Sequence, residues 1–229
     1  MKKALVALVC AIALVTATFL GTMAYFTSQD SVTNTFTVGK VEITLDETNV
    51  DKENDSEPER DKENEYHLIP GVSHVKDPMV TVVSGSEDCY VRMLVEVENI
   101  DHLKDALKDS KYYAGDVFLI QMLTGNETTP MTWDEVNWPH YAAGYKTGTK
   151  TVDGKTISTA TYEFRYKEKV EKGTMTNGMP KLFTNIMVPG ADAGNDDMAT
   201  LADVKINVTA HAIQADGFAD ANAAWAAWN

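Results

Sequence analysis

The side chains able to do chemistry are five histidines, two cysteines and many carboxylates, and their spacing argues against a compact active site. His67, His74, His102, His140 and His211 are scattered. None lies in a His-Glu-x-x-His run, the helical pattern that aims two imidazoles at one zinc ion. His67 and His74 flank Pro70-Gly71 and are the pair a turn could bring together. His211 falls on the polar side of an alternating stretch, where a solvent-exposed ring is the default. Cys89 shares a face with Val91, Met93, Val95 and Val97, the setting of an inert buried thiol rather than a nucleophile. No Gly-x-Ser-x-Gly elbow, phosphate loop or dinucleotide fingerprint occurs. The acid-rich stretch 46–65 and the cluster Asp192, Asn195, Asp196 and Asp197 are candidate calcium sites. The first has a spacing that matches no ordered ligand loop, and solvated loops are the ordinary meaning of both. Trp133 and Trp138 flank Asp134 and Glu135 and are candidate carbohydrate-stacking residues, with loop packing as the ordinary alternative. The expectation is a non-catalytic protein with no cofactor, calcium being the one ion its acids could take.

The elements that must position these residues read as strands. Val41, Ile43 and Leu45 alternate with Glu42, Thr44 and Asp46. Cys89 to Val97, Ala160 to Tyr166 and Val204 to Ala212 alternate in the same way, and Val32, Asn34, Phe36 and Val38 share a face further upstream. The face changes by one residue at Gly39, the mark of a bulge or a turn. Shorter candidates are Met79–Val83, Val117–Leu123 and Leu182–Val188. Pro70-Gly71, Asp153-Gly154, Asn177-Gly178 and Pro189-Gly190 are turn signals between them. About nine strands without βαβ spacing predict an all-β fold, a jelly-roll-like antiparallel sandwich with short helices and long loops. Asp101–Lys111 reads as one short helix. A stripe of Phe218, Ala221, Trp225 and Trp228 predicts a C-terminal helix over 217–228, docked on the core, with an exposed aromatic patch that binds another molecule as the alternative. Residues 46–65 carry ten acids, three bases and one hydrophobic residue, Val50, and are expected to be a mobile loop.

Composition bounds location and partners. The net charge is −14, so the overall field repels nucleic acid and anionic membranes. Lys2 and Lys3 precede an apolar run from Ala4 to Leu20, with small residues after it: the marks of a secretory signal peptide over 1–24, cut between Ala24 and Tyr25. The run is shorter than the roughly 20 residues a membrane-spanning helix needs, which leaves an uncleaved anchor as the strained alternative. Cys10 sits too near the lysines, and after Val9, for a lipid-anchoring signal. Cleavage removes Lys2, Lys3 and Cys10 and takes the balance from −14 to −16. The mature chain, 25–229, is expected to be one secreted domain with Cys89 unpaired and no stable membrane anchor.

Several stretches carry a resemblance. Gly21-Thr22-Met23-Ala24-Tyr25-Phe26-Thr27 is similar to the junction cut by SipW-type signal peptidases. The run from Asn34 to Ile43 resembles the first mature strands of TasA and camelysin (CalY) proteins. Ile69-Pro70-Gly71, Lys76-Asp77-Pro78 and Cys89-Tyr90-Val91-Arg92-Met93 follow in the order of that family. Leu182-Phe183-Thr184 and the segment from Ala212 to Phe218 resemble other SipW-dependent exported proteins, and residues 100–180 match least. The resemblance implies a jelly-roll protein of a Gram-positive cell surface or biofilm matrix. It implies as partners a SipW-type peptidase, matrix components and further copies of the chain. In that mode the mature N-terminal segment adds as a strand to the next subunit. Phe26, Val32, Phe36 and Val38 are the donor-strand candidates, and folding back as an ordinary edge strand is the alternative. Two other activities stay open: the metallopeptidase activity with which camelysin-like members have been classed, and polysaccharide adhesion through Trp133 and Trp138.

Overall fold

The computed structural model divides into two units, residues 1–38 and Gly39–Asn229. It describes residues 39–52, 56–64, 72–107, 133–187 and 203–228, all in the second unit. Nine strands and two short α-helices make up these residues: β1 (Ile43–Thr48), β2 (Arg60–Asp61), β3 (Ser73–Val75), β4 (Met79–Val82), β5 (Cys89–Glu98), α1 (Ile100–Leu107), β6 (Lys146–Val152), β7 (Lys155–Arg165), β8 (Asn185–Met187), β9 (Lys205–Gln214) and α2 (Ala221–Ala226). Every pairing is antiparallel. The strands form sheets of order β2-β1-β4, β3-β8 and β6-β7-β5-β9. The protein is therefore mainly antiparallel β structure, as the alternation in the sequence predicts.

The core lies between the sheet faces that the alternating residues mark out. Val80 and Val82 of β4 meet Cys89, Val91, Met93, Val95 and Val97 of β5 and Ala160, Tyr162 and Phe164 of β7. Trp138, Leu182, Phe183 and Ile186 complete the cluster. Each large side chain removed from water here contributes about 1.5–3 kcal/mol. Leu103, expected on the apolar side of the first helix, is buried in the same cluster.

Several elements depart from expectation for identifiable reasons. Strand β6 carries Lys146, Thr147, Gly148, Thr149, Lys150 and Thr151, so no apolar alternation announces it. It forms because Asp153 and Gly154, at φ 50° and 77°, make a two-residue turn whose twist suits a hairpin, with Val152 opposite Lys155. The stretch 46–65 is not all loop. Asp46–Thr48 belong to β1, and Arg60–Asp61 pair with it as β2. Of the expected strand over Leu182–Val188, Asn185–Met187 form β8, Leu182 and Phe183 turn into the core outside any ladder, and Val188 lies outside the described residues. The C-terminal helix is shorter than 217–228. Gly217, at φ 94°, lies in a turn before it, and Asp220 caps its start by accepting the Ala223 N–H at 2.8 Å. The candidate strand Val117–Leu123 lies outside the described residues.

Candidate functional site

Strand β9 forms one side of the four-stranded sheet. Its partner is β5, in register from Cys89 opposite Gln214 to Glu98 opposite Lys205. No other strand pairs with it among the described residues. Its inward row, Ile206, Val208, Ala210 and Ala212, with Val204 just before the strand, packs against the core but is only half-buried. The row opposite, on β5, is fully buried. Among the described residues β9 thus has one edge with no ladder partner, beside apolar side chains that are only half-buried. Strand β1, which follows directly after the donor-candidate segment in sequence, approaches β9. The donor candidates Phe26, Val32, Phe36 and Val38, and the cleavage pair Ala24 and Tyr25, lie outside the described residues.

The outward face of the same sheet carries a row of bases. Register places Arg165 of β7, Arg92 of β5 and His211 of β9 side by side. One buried carboxylate, Glu163, accepts from Arg165 Nε at 2.7 Å and more weakly from Arg92 Nη1 at 3.4 Å. Arg92 Nε donates to His211 Nδ1 at 3.2 Å, which requires a neutral imidazole. Burial, and then the neighbouring Arg92, hold the His211 pKa below its ordinary value against the opposing pull of Glu163. Gly144 makes room for Glu163, since a Cβ there would lie 2.3 Å from Oε2.

Helix α2 closes over this row. The Arg92 guanidinium lies 4.4 Å from the centroid of Trp225 and 5.4 Å from that of Trp228. His211 stacks on Trp228 at 4.7 Å, and Arg165 Nη1 donates to Asn222 Oδ1 at 2.7 Å. The aromatic stripe therefore docks on the polar face of the sheet, not on the core as expected. Cation–π contact with Arg92 supplies what an apolar face would have supplied. His211 is correspondingly half-buried rather than solvated.

A second ionic cluster holds the strands formed within the acidic stretch. Asp77 is 2 % exposed and accepts from the Thr48 N–H at 2.6 Å, the Thr48 hydroxyl at 2.9 Å, Arg60 at 3.1 Å and Lys181 at 2.6 Å. Burial alone would raise its pKa. The donors, Lys181 first, outweigh that and hold the carboxyl at about 2. Arg60 also pairs with Asp46, and buried Lys76 pairs with Glu47 at 2.9 Å. Lys76-Asp77 is thus a structural joint between β1, the β2 hairpin and the segment around Lys181.

The carbohydrate candidates do not form a surface. Trp138 is fully buried and donates from Nε1 to the Pro180 carbonyl at 2.8 Å. Trp133 is 6 % exposed and packs edge-on against Phe164 at 5.2 Å and His140 at 5.9 Å. Stacking on a sugar through these two residues is ruled out, because their faces are spent on the core. A shallow cavity of about 420 Å³ touches Trp133, beside Asp134, Lys181, Leu182, Phe183 and Thr184. Asp134 there is engaged with Asn137. Cys89 is buried as expected, and burial lifts its thiol to about 11. His74 lies in β3, His102 in α1, His211 in β9 and His140 against Trp133, each on a different part of the chain. No group of three or more His, Cys, Asp or Glu residues converges on a point among the described residues. His67 and the cluster Asp192, Asn195, Asp196 and Asp197 lie outside them. Among the described residues no helix is long and apolar enough to cross a membrane.

Sequence reasoning missed that Arg92, Glu163 and Arg165 meet. The available signal was Arg92, Glu163 and Arg165 standing on the outward side of alternating strands, but pairing between distant strands decides that they meet. No protein-family model, curated protein or solved structure matches the chain.

Proposed function

We propose that this chain is a secreted structural protein of a bacterial cell surface or biofilm matrix, and that its subunits join by strand addition. The reading includes removal of residues 1–24 by a SipW-type peptidase and a jelly-roll arrangement of the sheets. The observation that carries it is the edge of β9. Ten residues of β9 pair on one side only among the described residues, next to an apolar row that is half-covered. An incoming strand would gain backbone hydrogen bonds along that edge. Its alternate apolar residues would complete the cover of Ile206, Val208, Ala210 and Ala212. Phe26, Val32, Phe36 and Val38 are spaced for that task, and head-to-tail contacts that do not close build filaments. The resemblance of the N-terminal motifs to TasA and camelysin proteins points the same way.

The test compares chain 25–229 with chain 39–229 by negative-stain microscopy and light scattering. Gly39–Asn229 is a compact unit in its own right, so the shorter chain is expected to fold. Filaments from the longer chain alone are the expected result. Monomers from both, or filaments from both, would remove residues 25–38 from the role of joining strand.

A further inference from the structure

Strand addition leaves one motif of the sequence unused. Asn177-Gly178 is the one Asn-Gly step in the chain. Met175 to Gly178 form a four-residue turn. It is closed by the Gly178 N–H, which donates to the Met175 carbonyl at 3.3 Å, a long and weak bond. Asn177 is exposed in this turn, and its side-chain amide makes no hydrogen bond among the described residues. Glycine has no Cβ to hinder approach to its nitrogen. An amide side chain in water thus precedes an unhindered, loosely held backbone N–H.

The turn lies within a strap that secures a sheet edge. Strand β4 ends its sheet, with β1 as its ladder partner on one side. Along the other side runs the segment from Met175 to Leu182. The Val82 N–H donates to the Met175 carbonyl at 3.2 Å, and the Met179 N–H to the Val80 carbonyl at 2.7 Å. The Leu182 N–H donates to the Pro78 carbonyl at 3.2 Å. Met179 and Leu182 are buried in the core. Met175 and Met179 therefore anchor the strap on either side of the Asn-Gly bond. Gly178 already lies against Met79, since a Cβ there would stand 2.5 Å from Sδ.

We propose that Asn177-Gly178 is a self-modification site whose product releases the strap from β4. The Gly178 nitrogen attacks the carbonyl carbon of the Asn177 side chain and closes a succinimide ring. The Gly178 N–H proton is lost, and the side-chain nitrogen leaves as ammonia. Water then opens the ring at either carbonyl, giving aspartate or isoaspartate. The balance is amide plus water to acid plus ammonia, so no oxidant or cofactor is needed. In isoaspartate the main chain runs through the former side chain, which puts one more carbon between the two anchors. That added length presses on both anchors and on Met79, and the longer bond, from Val82 to Met175, yields first. The site is independent of strand addition, because Gly39–Asn229 contains all of it and lacks the donor segment.

The test ages Gly39–Asn229 in warm, mildly alkaline buffer, beside the same chain unfolded in guanidinium chloride and the Asn177→Gln variant. Asn177 has no positive φ, so glutamine suits the turn, and circular dichroism checks the fold. Peptide mass spectrometry locates each converted asparagine, and an isoaspartyl methyltransferase assay reads the rearranged product. The folded chain should convert at Asn177 ahead of Asn185 and Asn207, and Asn177→Gln should lose the isoaspartyl signal. Amide hydrogen exchange then reads the strap. The Val82 and Met179 amides should exchange faster in the aged parent chain than in the fresh one, and no faster in the aged variant. Conversion in the unfolded chain but not in the folded one would show that the turn protects the site, and would overturn the proposal. A converted chain whose Val82 and Met179 amides exchange as before would overturn the release of the strap.

Discussion

Single side chains in this protein matter mostly through what they neutralise. Asp77 is buried with Arg60 and Lys181 aimed at it, so Asp77→Asn leaves two cations facing a neutral amide. Breaking a buried pair in this way costs about 3 kcal/mol, which urea unfolding will read as a lowered midpoint. The β2 hairpin should loosen first and become the earliest site of limited proteolysis. His140 and His211 act in the opposite sense to a paired base. Burial lowers both pKa values, so the folded state prefers the neutral rings. Their contribution is complete above the ordinary histidine value of about 6.5 and is lost as pH falls below it. Stability should therefore decline from pH 7.5 to pH 5, and His211→Gln should flatten part of that slope. A slope identical in the variant would show that His211 titrates normally. Gly144→Ala should cost about 2 kcal/mol, because the added methyl collides with Glu163 beneath it.

At the scale of elements, β9 is the strand on which the proposed strand addition turns. Its outward row holds Arg92 through His211, and its inward row is half-buried. Val208→Lys places an ammonium in that half-buried row, a device by which natural sheets discourage edge pairing. The variant is expected to stay folded by circular dichroism but to form no filaments from chain 25–229. Normal filaments from a folded variant would exclude the β9 edge as the acceptor. Helix α2 has only six residues, too few to be stable alone, so its order depends on what it touches. Arg92→Ala removes the cation beneath both tryptophans, and the C-terminus should then be trimmed by carboxypeptidase faster than in the parent chain.

For the whole molecule, charge would set the conditions of the proposed assembly. With residues 1–24 removed, as proposed, the balance of −16 would make subunits repel one another at low salt. Filament yield from chain 25–229 should rise with added salt, with divalent cations and with mild acid. Mild acid also weakens the fold through the two histidines, so the yield should pass through a maximum rather than rise without limit as pH falls. Yields that are flat across salt, cations and pH would show that contacts between subunits avoid the acidic surface.

Local pattern was enough to place β5, β7 and β9 and their buried faces, because a strand with one side in the core must alternate, and alternation is written residue by residue. Cys89 could be read as an inert thiol for the same reason. Pairings between distant residues are another matter. Nothing near Arg60 in the chain reveals that it meets Asp77, and nothing near Trp225 reveals that Arg92 will lie beneath it. The acidic stretch therefore reads as loop, and the aromatic stripe reads as core packing. Strand β6 was invisible because its partner and its turn impose the strand, not its own side chains. Trp133 and Trp138 read equally well as a sugar platform or as packing, since the same large rings serve both uses. Only the tertiary structure decided between them, by filling the space around both rings with the rest of the core.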